Sequence, residues 1–150
     1  DEVKRIFRKA IELNEDFKRR SREIPLSTYT NKYMELEKFQ ENVLMPKLAE
    51  AVKLLSSGKD IDLAVEFFNL LISYKNSANE TFSYSLAEVF FDNPSLIEET
   101  FKRFDHQDQR LLYSRLEEGW ENMIYNKDKN DEKIRGHSKR LHNLKLQFDR

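Results

Sequence analysis

Residues 61–74, IDLAVEFFNLLISY, decide the fold, because their side chains are apolar on nearly every side of a helix. A helix of this kind is stable in water only when other elements cover it on several sides. Gly58 is suited to ending the helix before it, and Asp60 is a favoured residue at a helix N-cap. The sequence therefore predicts a central core helix, with the remaining elements arranged around it.

Amphipathic stripes before the core helix predict two more helices. The apolar positions of residues 2–20 recur at intervals of three and four, which is the period of one helix face. Pro25 ends that segment, since the residue before a proline avoids the α region. Thr28 or Thr30 then caps a second helix that continues to Gly58.

Proline and asparagine positions mark the other predicted helix boundaries. Pro46 lies inside the second helix, but the apolar pattern continues past it, so we predict a kink and not a break. Asn79 caps a fourth helix, which the sequence leaves open to being continuous with the third. Asn93 and Pro94 open a fifth helix, as a cap followed by proline at the first helical position.

The C-terminal part of the chain predicts two long helices. One carries Leu112, Leu116 and Trp120 on one side, and Gly119 in its interior predicts the close approach of a neighbouring helix beside Trp120. After a polar loop at 126–131, the last helix spaces its apolar residues in a narrow seam.

The fold class predicted from these patterns is all-α, with six to seven helices joined by short turns. Only 3 Gly and 3 Pro in 150 residues favour long helices over a turn-rich β fold. Both a compact bundle and a small stack of antiparallel helical hairpins fit the pattern. The hairpins at 79–104 and 108–125 resemble HEAT-like pairs in architecture only. We expect one helical domain over 1–150, with helices 2–20 and 131–148 packed at its periphery.

Charge is distributed unevenly along the chain. Residues 1–22 carry eight basic and five acidic groups, and residues 126–150 carry eight and four, whereas residues 23–125 carry ten basic and eighteen acidic groups. Because the termini of a domain are often close, we expect the basic first and last helices to lie together and form a basic face. The absence of cysteine excludes disulfides, thiol nucleophiles and thiolate metal sites.

Asp105, His106 and Asp108 form the most suggestive polar cluster. Two carboxylates and an imidazole are able to hold a metal or move a proton, but no further ligand lies nearby in sequence. Asp at a helix start accepts hydrogen bonds from free backbone amides, and an acidic residue three positions later suits the positive end of the helix dipole. We therefore interpret the cluster as a turn between two helices.

A basic cluster lies at the end of the first helix, comprising Lys18, Arg19, Arg20 and Arg22. It is a candidate surface for phosphate groups or anionic lipid. Basic side chains are also favourable at the negative C-terminal end of a helix, and we prefer this interpretation. The pI of about 6.4 and the acidic middle of the chain argue against nucleic acid as a partner.

The remaining motifs favour no cofactor or metal. His137 and His142 are five residues apart, whereas helical metal pairs are spaced by three or four, so we interpret His137 as a half-buried packing residue. The glycosylation acceptor pattern at Asn79 is short and common. The sequence has no Gly-rich phosphate loop, no paired-His zinc helix and no nucleophile elbow, although catalysis by residues distant in sequence stays open.

The leading functional hypothesis is a non-enzymatic helical domain that binds another protein, because helical hairpins present grooves and faces to partners. A second is an extracytoplasmic domain tethered near a membrane through a segment before Asp1. A third is a small-molecule binder or enzyme with a pocket among six aromatic residues, which are Phe67, Phe68, Phe82, Tyr84, Phe90 and Phe91.

The sequence is compatible with more than one cellular location. The sequence contains no long apolar run and begins with Asp1 in place of Met. A processed mature form, a truncation and a fragment all share these features. We expect an extracytoplasmic location, and a cytoplasmic one stays open.

Overall fold

The computed structural model describes residues 1–149 as helices joined by short connections, and no β-strand occurs in this range. The helices are α1 (Glu2–Arg20), α2 (Leu26–Phe39), α3 (Met45–Ser57), α4 (Ile61–Ser73), α5 (Thr81–Asp92), α6 (Pro94–Phe101), α7 (His106–Ile124) and α8 (Glu132–Phe148), with a π-helical segment at Gln40–Leu44. Since this segment joins α2 to α3 without a break, the described chain forms seven helical rods, and the predicted all-α fold is confirmed.

Helix α4 lies at the centre of the bundle, as the sequence predicts. It packs against α1, α3, α6 and α7. Phe67 and Phe68 are completely buried; the first faces Phe7 of α1 and the second Phe101 of α6. Asp60 caps the helix, because its carboxylate accepts a hydrogen bond from the Leu63 amide at 3.0 Å. The core cluster contains buried residues from every α-helix except α2.

Helices α5 and α7 approach each other most closely at Gly119. A Cβ placed on Gly119 would lie 2.0 Å from the carbonyl oxygen of Ser83 on α5. Only a residue without a side chain fits there, which explains a glycine in a helix interior. The predicted close approach beside Trp120 is confirmed, and the neighbouring helix is α5.

The proline inside the second helix is accommodated by the π-helical segment. The Met45 amide donates to the Gln40 carbonyl, five residues earlier, so the hydrogen-bond pattern widens just before Pro46. A regular α-turn would bring the proline ring against the Asn42 carbonyl. The helical path continues past the proline, and the irregularity takes the form of this wider turn.

Two predicted caps differ from the structure. Helix α2 begins at Leu26, directly after Pro25, so neither Thr28 nor Thr30 caps it; the Thr30 hydroxyl donates to the Leu26 carbonyl inside the helix. The proline supplies an extended residue where the helix begins, which makes a later cap unnecessary. Asn93 stands at the N-cap of α6, but its side chain makes no capping bond.

The Asn93 side chain instead closes the end of α3. Its amide nitrogen donates to the carbonyls of Leu55 and Gly58, each at 2.8 Å. These carbonyls belong to the last turn of a helix and the residue after it, where no intrahelical donor remains. Asn93 therefore fixes the α5–α6 corner to the end of α3.

The two basic terminal helices do not form one face. Helix α1 packs on α2, α3, α4 and the π-helical segment, whereas α8 packs on α7. Arg140 of α8 also donates to Glu98 of α6 at 3.2 Å. No extensive packing joins α1 to α8 within residues 1–149, so the prediction that they lie together is wrong. Each of them covers a different part of the core.

The contact at Gly119 gives a direct test of the packing. We expect Gly119→Ala to lower the free energy of unfolding by about 3 kcal/mol, because the methyl group forces α5 and α7 apart. Gly136→Ala is the matched control: it also lies inside a helix, but nothing lies within 4 Å of its Cβ position. This control should raise the stability by up to about 1 kcal/mol through helix propensity. Equal urea midpoints for both variants would contradict the α5–α7 geometry.

Candidate functional site

An open cleft of about 690 Å³ lies beside α2. One wall is α2 and the π-helical segment, the opposite wall is the second half of α1, and the loop between α4 and α5 closes one end. We call it the α1–α2 cleft. It is lined by Asn14, Phe17, Lys18, Tyr29, Tyr33, Leu36, Glu37, Gln40, Glu41, Ser73, Tyr74, Asn76, Ser77, Ala78 and Asn79.

The α2 wall is formed by residues four apart along the helix, which share one face. Tyr29 and Tyr33 are nearly parallel, with ring centroids 6.3 Å apart, and Phe17 of α1 lies 5.1 Å from Tyr29. Glu37 and Glu41 continue the same face toward α3. The wall thus changes from aromatic at one end to acidic at the other.

The floor of the cleft is a hydrogen-bonded network between α1 and the end of α4. The buried Asn14 amide donates to the Ser73 carbonyl at 3.0 Å and to the Ser73 hydroxyl oxygen at 3.1 Å. The Ser73 hydroxyl in turn donates to Glu15 at 2.7 Å. Lys18 donates to the same Ser73 carbonyl and lies 3.3 Å from Glu15.

The charge state of Glu15 follows from this network. Partial burial opposes its ionisation, but the Ser73 hydrogen bond and the Lys18 ammonium outweigh burial and lower the pKa of Glu15. Glu15 is therefore ionised near neutral pH, and its charge offsets that of Lys18 at the floor.

Behind the floor, Arg115 of α7 closes the end of α4. Arg115 is only 8% exposed, and its guanidinium donates to the Tyr74 carbonyl at 2.5 Å, the Ser77 carbonyl at 3.2 Å and the Ser83 hydroxyl at 3.2 Å. No carboxylate within residues 1–149 pairs with it. The negative end of the α4 dipole and these oxygens stabilise the buried cation instead.

Tyr74 lines the inner end of the cleft and is 4% exposed. Its ring stacks on Phe82 at 4.9 Å, but its hydroxyl makes no hydrogen bond with any other described residue. Burial, with a smaller contribution from the Glu15 charge, raises the pKa of Tyr74 to about 12. The phenol is thus neutral at physiological pH and has an unused donor and acceptor.

A second and smaller groove lies on the other side of α2. Its volume is about 230 Å³, and it is mainly apolar. The residues that line it are Leu13, Asp16, Phe17, Arg20, Ile24, Lys32, Glu35 and Leu36. Helix α2 is therefore flanked by openings on both sides and touches α1 chiefly through the aromatic cluster of Phe17, Tyr29 and Tyr33.

The basic cluster from the sequence is largely engaged in local contacts. Lys18 belongs to the cleft floor, and Arg19 and Arg20 lie 2.6 and 3.2 Å from the Asp16 carboxylate. Arg22 is exposed and makes no ion pair among residues 1–149. The structure thus brings one member of the cluster into the candidate site.

Asp105, His106 and Asp108 form the start of α7. The Asp105 carboxylate accepts a hydrogen bond from the Asp108 amide at 2.9 Å, Asp108 lies in the first turn, and His106 is exposed. The predicted helix–helix turn with an Asp cap is confirmed. No cluster of three or more potential metal ligands occurs in the part of the chain that the structure describes.

The histidines and Asn79 also take structural positions. His137 is half-buried, its ring is nearly parallel to Trp120 at 6.1 Å, and its Nδ1 lies 2.8 Å from the Lys133 carbonyl. Asn79 accepts a hydrogen bond from the Thr81 amide at 3.0 Å, at the first turn of α5. His142, on the same helix as His137, is exposed.

Most of the aromatic residues proposed to line a pocket belong to the core. Phe67, Phe68, Phe82 and Phe90 are completely buried. Tyr84 is exposed on α5, and Phe91 packs under Lys133, whose ammonium lies 4.1 Å from the ring centroid. The α1–α2 cleft uses different aromatic residues: Phe17, Tyr29 and Tyr33, on helices predicted as ordinary amphipathic elements, and Tyr74, at the end of the predicted core helix.

No protein-family model matches the chain, and no curated protein or solved structure does so either. Its function must therefore be inferred from its own residues. No helix in residues 1–149 has the length and hydropathy needed to cross a membrane. The fold and site define an all-α bundle with an open cleft whose walls are aromatic and polar.

Replacing Arg115 should destabilise the folded protein strongly. We expect Arg115→Met to lower the free energy of unfolding by about 3 kcal/mol, because the Ser77 carbonyl and the Ser83 hydroxyl lose their bonds to the guanidinium and the Tyr74 carbonyl keeps only the Ser77 amide. Arg110→Met is the control, since Arg110 is exposed on the same helix and should change stability by less than about 0.5 kcal/mol. Chemical denaturation of both variants measures the difference, and a comparable loss in the control would contradict this role for Arg115.

Tyr74 should contribute to the decrease in the free energy of unfolding in alkaline solution. Below pH 10 the phenol is protonated in both folded and unfolded chains. As the pH rises from 10 to about 12, only the unfolded phenol ionises, so the free energy of unfolding falls by up to about 2 kcal/mol. Tyr74→Phe should remove this part of the decrease, while Tyr113, whose pKa burial also raises to about 12, retains its own part.

Near neutral pH, Tyr74→Phe also tests whether the Tyr74 hydroxyl has a hydrogen-bond partner. Removing a buried hydroxyl without a partner should leave the stability unchanged or raise it by about 1 kcal/mol. The exposed Tyr125 provides the control, and Tyr125→Phe should leave the alkaline decrease as it is in the wild type. Urea unfolding at pH 8 and pH 11 measures both effects. A clear loss of stability in Tyr74→Phe at pH 8 would show that its hydroxyl has a partner.

Proposed function

We propose that this chain is a helical protein-binding domain and that α2, with the α1–α2 cleft, is its binding surface. The observation that carries the proposal is that α2 buries no residue, in contrast to the other seven described α-helices. It exposes three large apolar side chains, Leu26 at 79%, Tyr33 at 44% and Met34 at 51%. Three large apolar side chains exposed on one short helix favour an interaction surface there.

The energetics of α2 support this proposal. An isolated helix of 14 residues is only marginally stable in water, and helices in proteins are stabilised mainly by burying an apolar face. Helix α2 has little such burial: its contacts are the Phe17 cluster, the partly buried Phe39 at its end, which packs against the core, and the continuous connection to α3. A partner that covers its exposed side chains would supply the missing burial, at about 25 cal/mol for each Å² of apolar surface removed from water.

The other walls of the cleft are rigid by comparison. Asn14 and Lys18 hold the end of α4 from one side, and Arg115 holds it from the other. A binding surface whose groups are fixed before the partner arrives loses less conformational entropy on association. The site therefore combines a preorganised floor with a weakly packed helix.

A small molecule in the same cleft is a second candidate. The cleft volume of about 690 Å³ lies in the range of small-molecule sites, and several polar groups converge on it. However, Leu26 and Met34 do not line the cleft, so a ligand confined there would leave them exposed. For this reason we favour a protein partner, which is large enough to cover both the cleft and α2.

Site-specific photocrosslinking tests the proposal. The crosslinking residue p-benzoylphenylalanine replaces Met34 in one version of the protein and Leu146 in the other, since both positions are exposed and apolar but lie on α2 and α8. In an extract of the native source, we expect the Met34 version to label a discrete protein and the Leu146 version not to label it. Tyr33→Ala in the Met34 version should reduce labelling severalfold.

Two results would contradict a protein-binding role for α2. One is the same set of labelled proteins from both positions, which indicates random encounters. The other is no labelled protein at Met34, which favours the small-molecule alternative. Labelling of a second copy of this chain would support the proposal, and sedimentation of the purified protein would then give the association constant.

A further inference from the structure

We propose that the α1–α2 cleft binds a basic segment of the partner protein, with an arginine or lysine side chain between the α2 wall and the cleft floor. This inference rests on the proposed function and specifies the chemistry of the partner. The observations that carry it are the charges, the aromatic faces and the unused acceptors that line the cleft.

The uncompensated charge in the cleft is negative. Three charged residues line it, Lys18, Glu37 and Glu41. Lys18 is already compensated, because it lies 3.3 Å from Glu15 and donates to the Ser73 carbonyl. Neither Glu37 nor Glu41 forms an ion pair with any residue from 1 to 149. A cationic group in the cleft would therefore meet two carboxylates whose charge is not neutralised.

The α2 wall belongs to the acidic part of the sequence, since residues 23–125 carry ten basic and eighteen acidic groups. The opposite wall is the second half of α1, where Lys18, Arg19 and Arg20 each lie within 3.3 Å of a carboxylate of α1. Lys75 is the basic residue of the α4–α5 loop; it lines a separate hollow on the α7 side.

The aromatic end of the α2 wall also suits a cation. The Tyr29 and Tyr33 rings form a continuous aromatic surface with Phe17. An ammonium or guanidinium group over such rings is attracted to their negative faces. Because Tyr33 and Glu37 are one helical turn apart, a single cation between them can contact both an aromatic ring and a carboxylate. The Glu37 carboxylate, one turn away, raises the pKa of Tyr33, so this phenol and a bound cation do not repel each other at physiological pH.

The inner end of the cleft offers acceptors that the protein does not use. The Tyr74 hydroxyl has no hydrogen-bond partner among the described residues, but it is fully buried, so a bound cation reaches it only if the Tyr74 ring shifts toward the cleft. Asn76 lies at the rim and makes no side-chain hydrogen bond in residues 1–149. Arginine presents five N–H donors in a planar fork, so it matches a site with several acceptors better than a group with one donor.

Other partner segments fit less well. An acidic peptide or a phosphate group would face Glu37 and Glu41, and Lys18, the cation that lines the cleft, is already paired with Glu15. A purely apolar segment would leave the Glu37 and Glu41 carboxylates without partners, and their desolvation opposes binding. The smaller groove on the other side of α2 is mainly apolar and is better suited to such a segment.

Selection from a random peptide library on the purified protein tests this inference. Peptides are retained only if they bind the wild type and fail to bind Tyr33→Ala, which restricts the outcome to the cleft. We expect the retained peptides to be rich in arginine and lysine. Their affinity, measured by fluorescence anisotropy with labelled copies, should fall about tenfold in a Glu37→Gln/Glu41→Gln variant and should also decrease with added salt.

Glu35→Gln is the matched control, because Glu35 lies on the same helix but lines the smaller groove. It should change the affinity less than twofold. Retained peptides that are not basic, or that bind the Glu37→Gln/Glu41→Gln variant as well as the wild type, would overturn this inference. Failure to retain any peptide would overturn it as well. The proposed function is judged separately, by whether the Met34 crosslinker labels a protein.

Discussion

The end of α4 is the point on which the rest of the structure depends. An apolar helix at the centre of a bundle must end inside the protein, and its last carbonyls have no intrahelical donors. Here Asn14 and Lys18 of α1 donate to the Ser73 carbonyl, and Arg115 of α7 donates to the Tyr74 and Ser77 carbonyls. Leaving these buried oxygens without donors would cost about as much free energy as a small domain has in reserve. The same bonds fix α1 and α7 relative to α4, and so they position the cleft floor.

Sequence reasoning succeeded where the relevant physics is local. Asp60 and Asp105 are caps because a carboxylate can reach an amide three residues later. The all-apolar pattern of α4 required a central position, and Gly119 required a close neighbour. In each case the residue type and its immediate neighbours determine the outcome. The second helix shows the limit of this approach, since Pro25 alone starts it and the threonines expected to cap it lie inside.

The cleft depends on contacts between residues far apart in the chain, which a single sequence does not reveal. Asn14 and Ser73 are 59 positions apart, and Arg115 and Tyr74 are 41 apart. One signal was nevertheless present. Asn14 follows Ala10 by four positions, and Arg115 follows Leu112 by three, so both polar residues lie on the apolar faces of their helices. A polar residue in such a position must find a partner in the core, and here the partner is the end of α4.

Helix α2 differs from the other helices in the contacts that hold it in place. The other helices are fixed by buried side chains, but α2 is held by an aromatic contact at Phe17, by the partly buried Phe39 and by a π-helical segment that connects it to α3. Elements with few buried contacts are the first to open locally. A partner that binds only when α2 is packed against α1 would stabilise that packing by mass action. For a partner that binds as proposed, the order of α2 and the occupancy of the cleft would be thermodynamically linked, and part of the gross binding energy would be consumed in holding α2 in place.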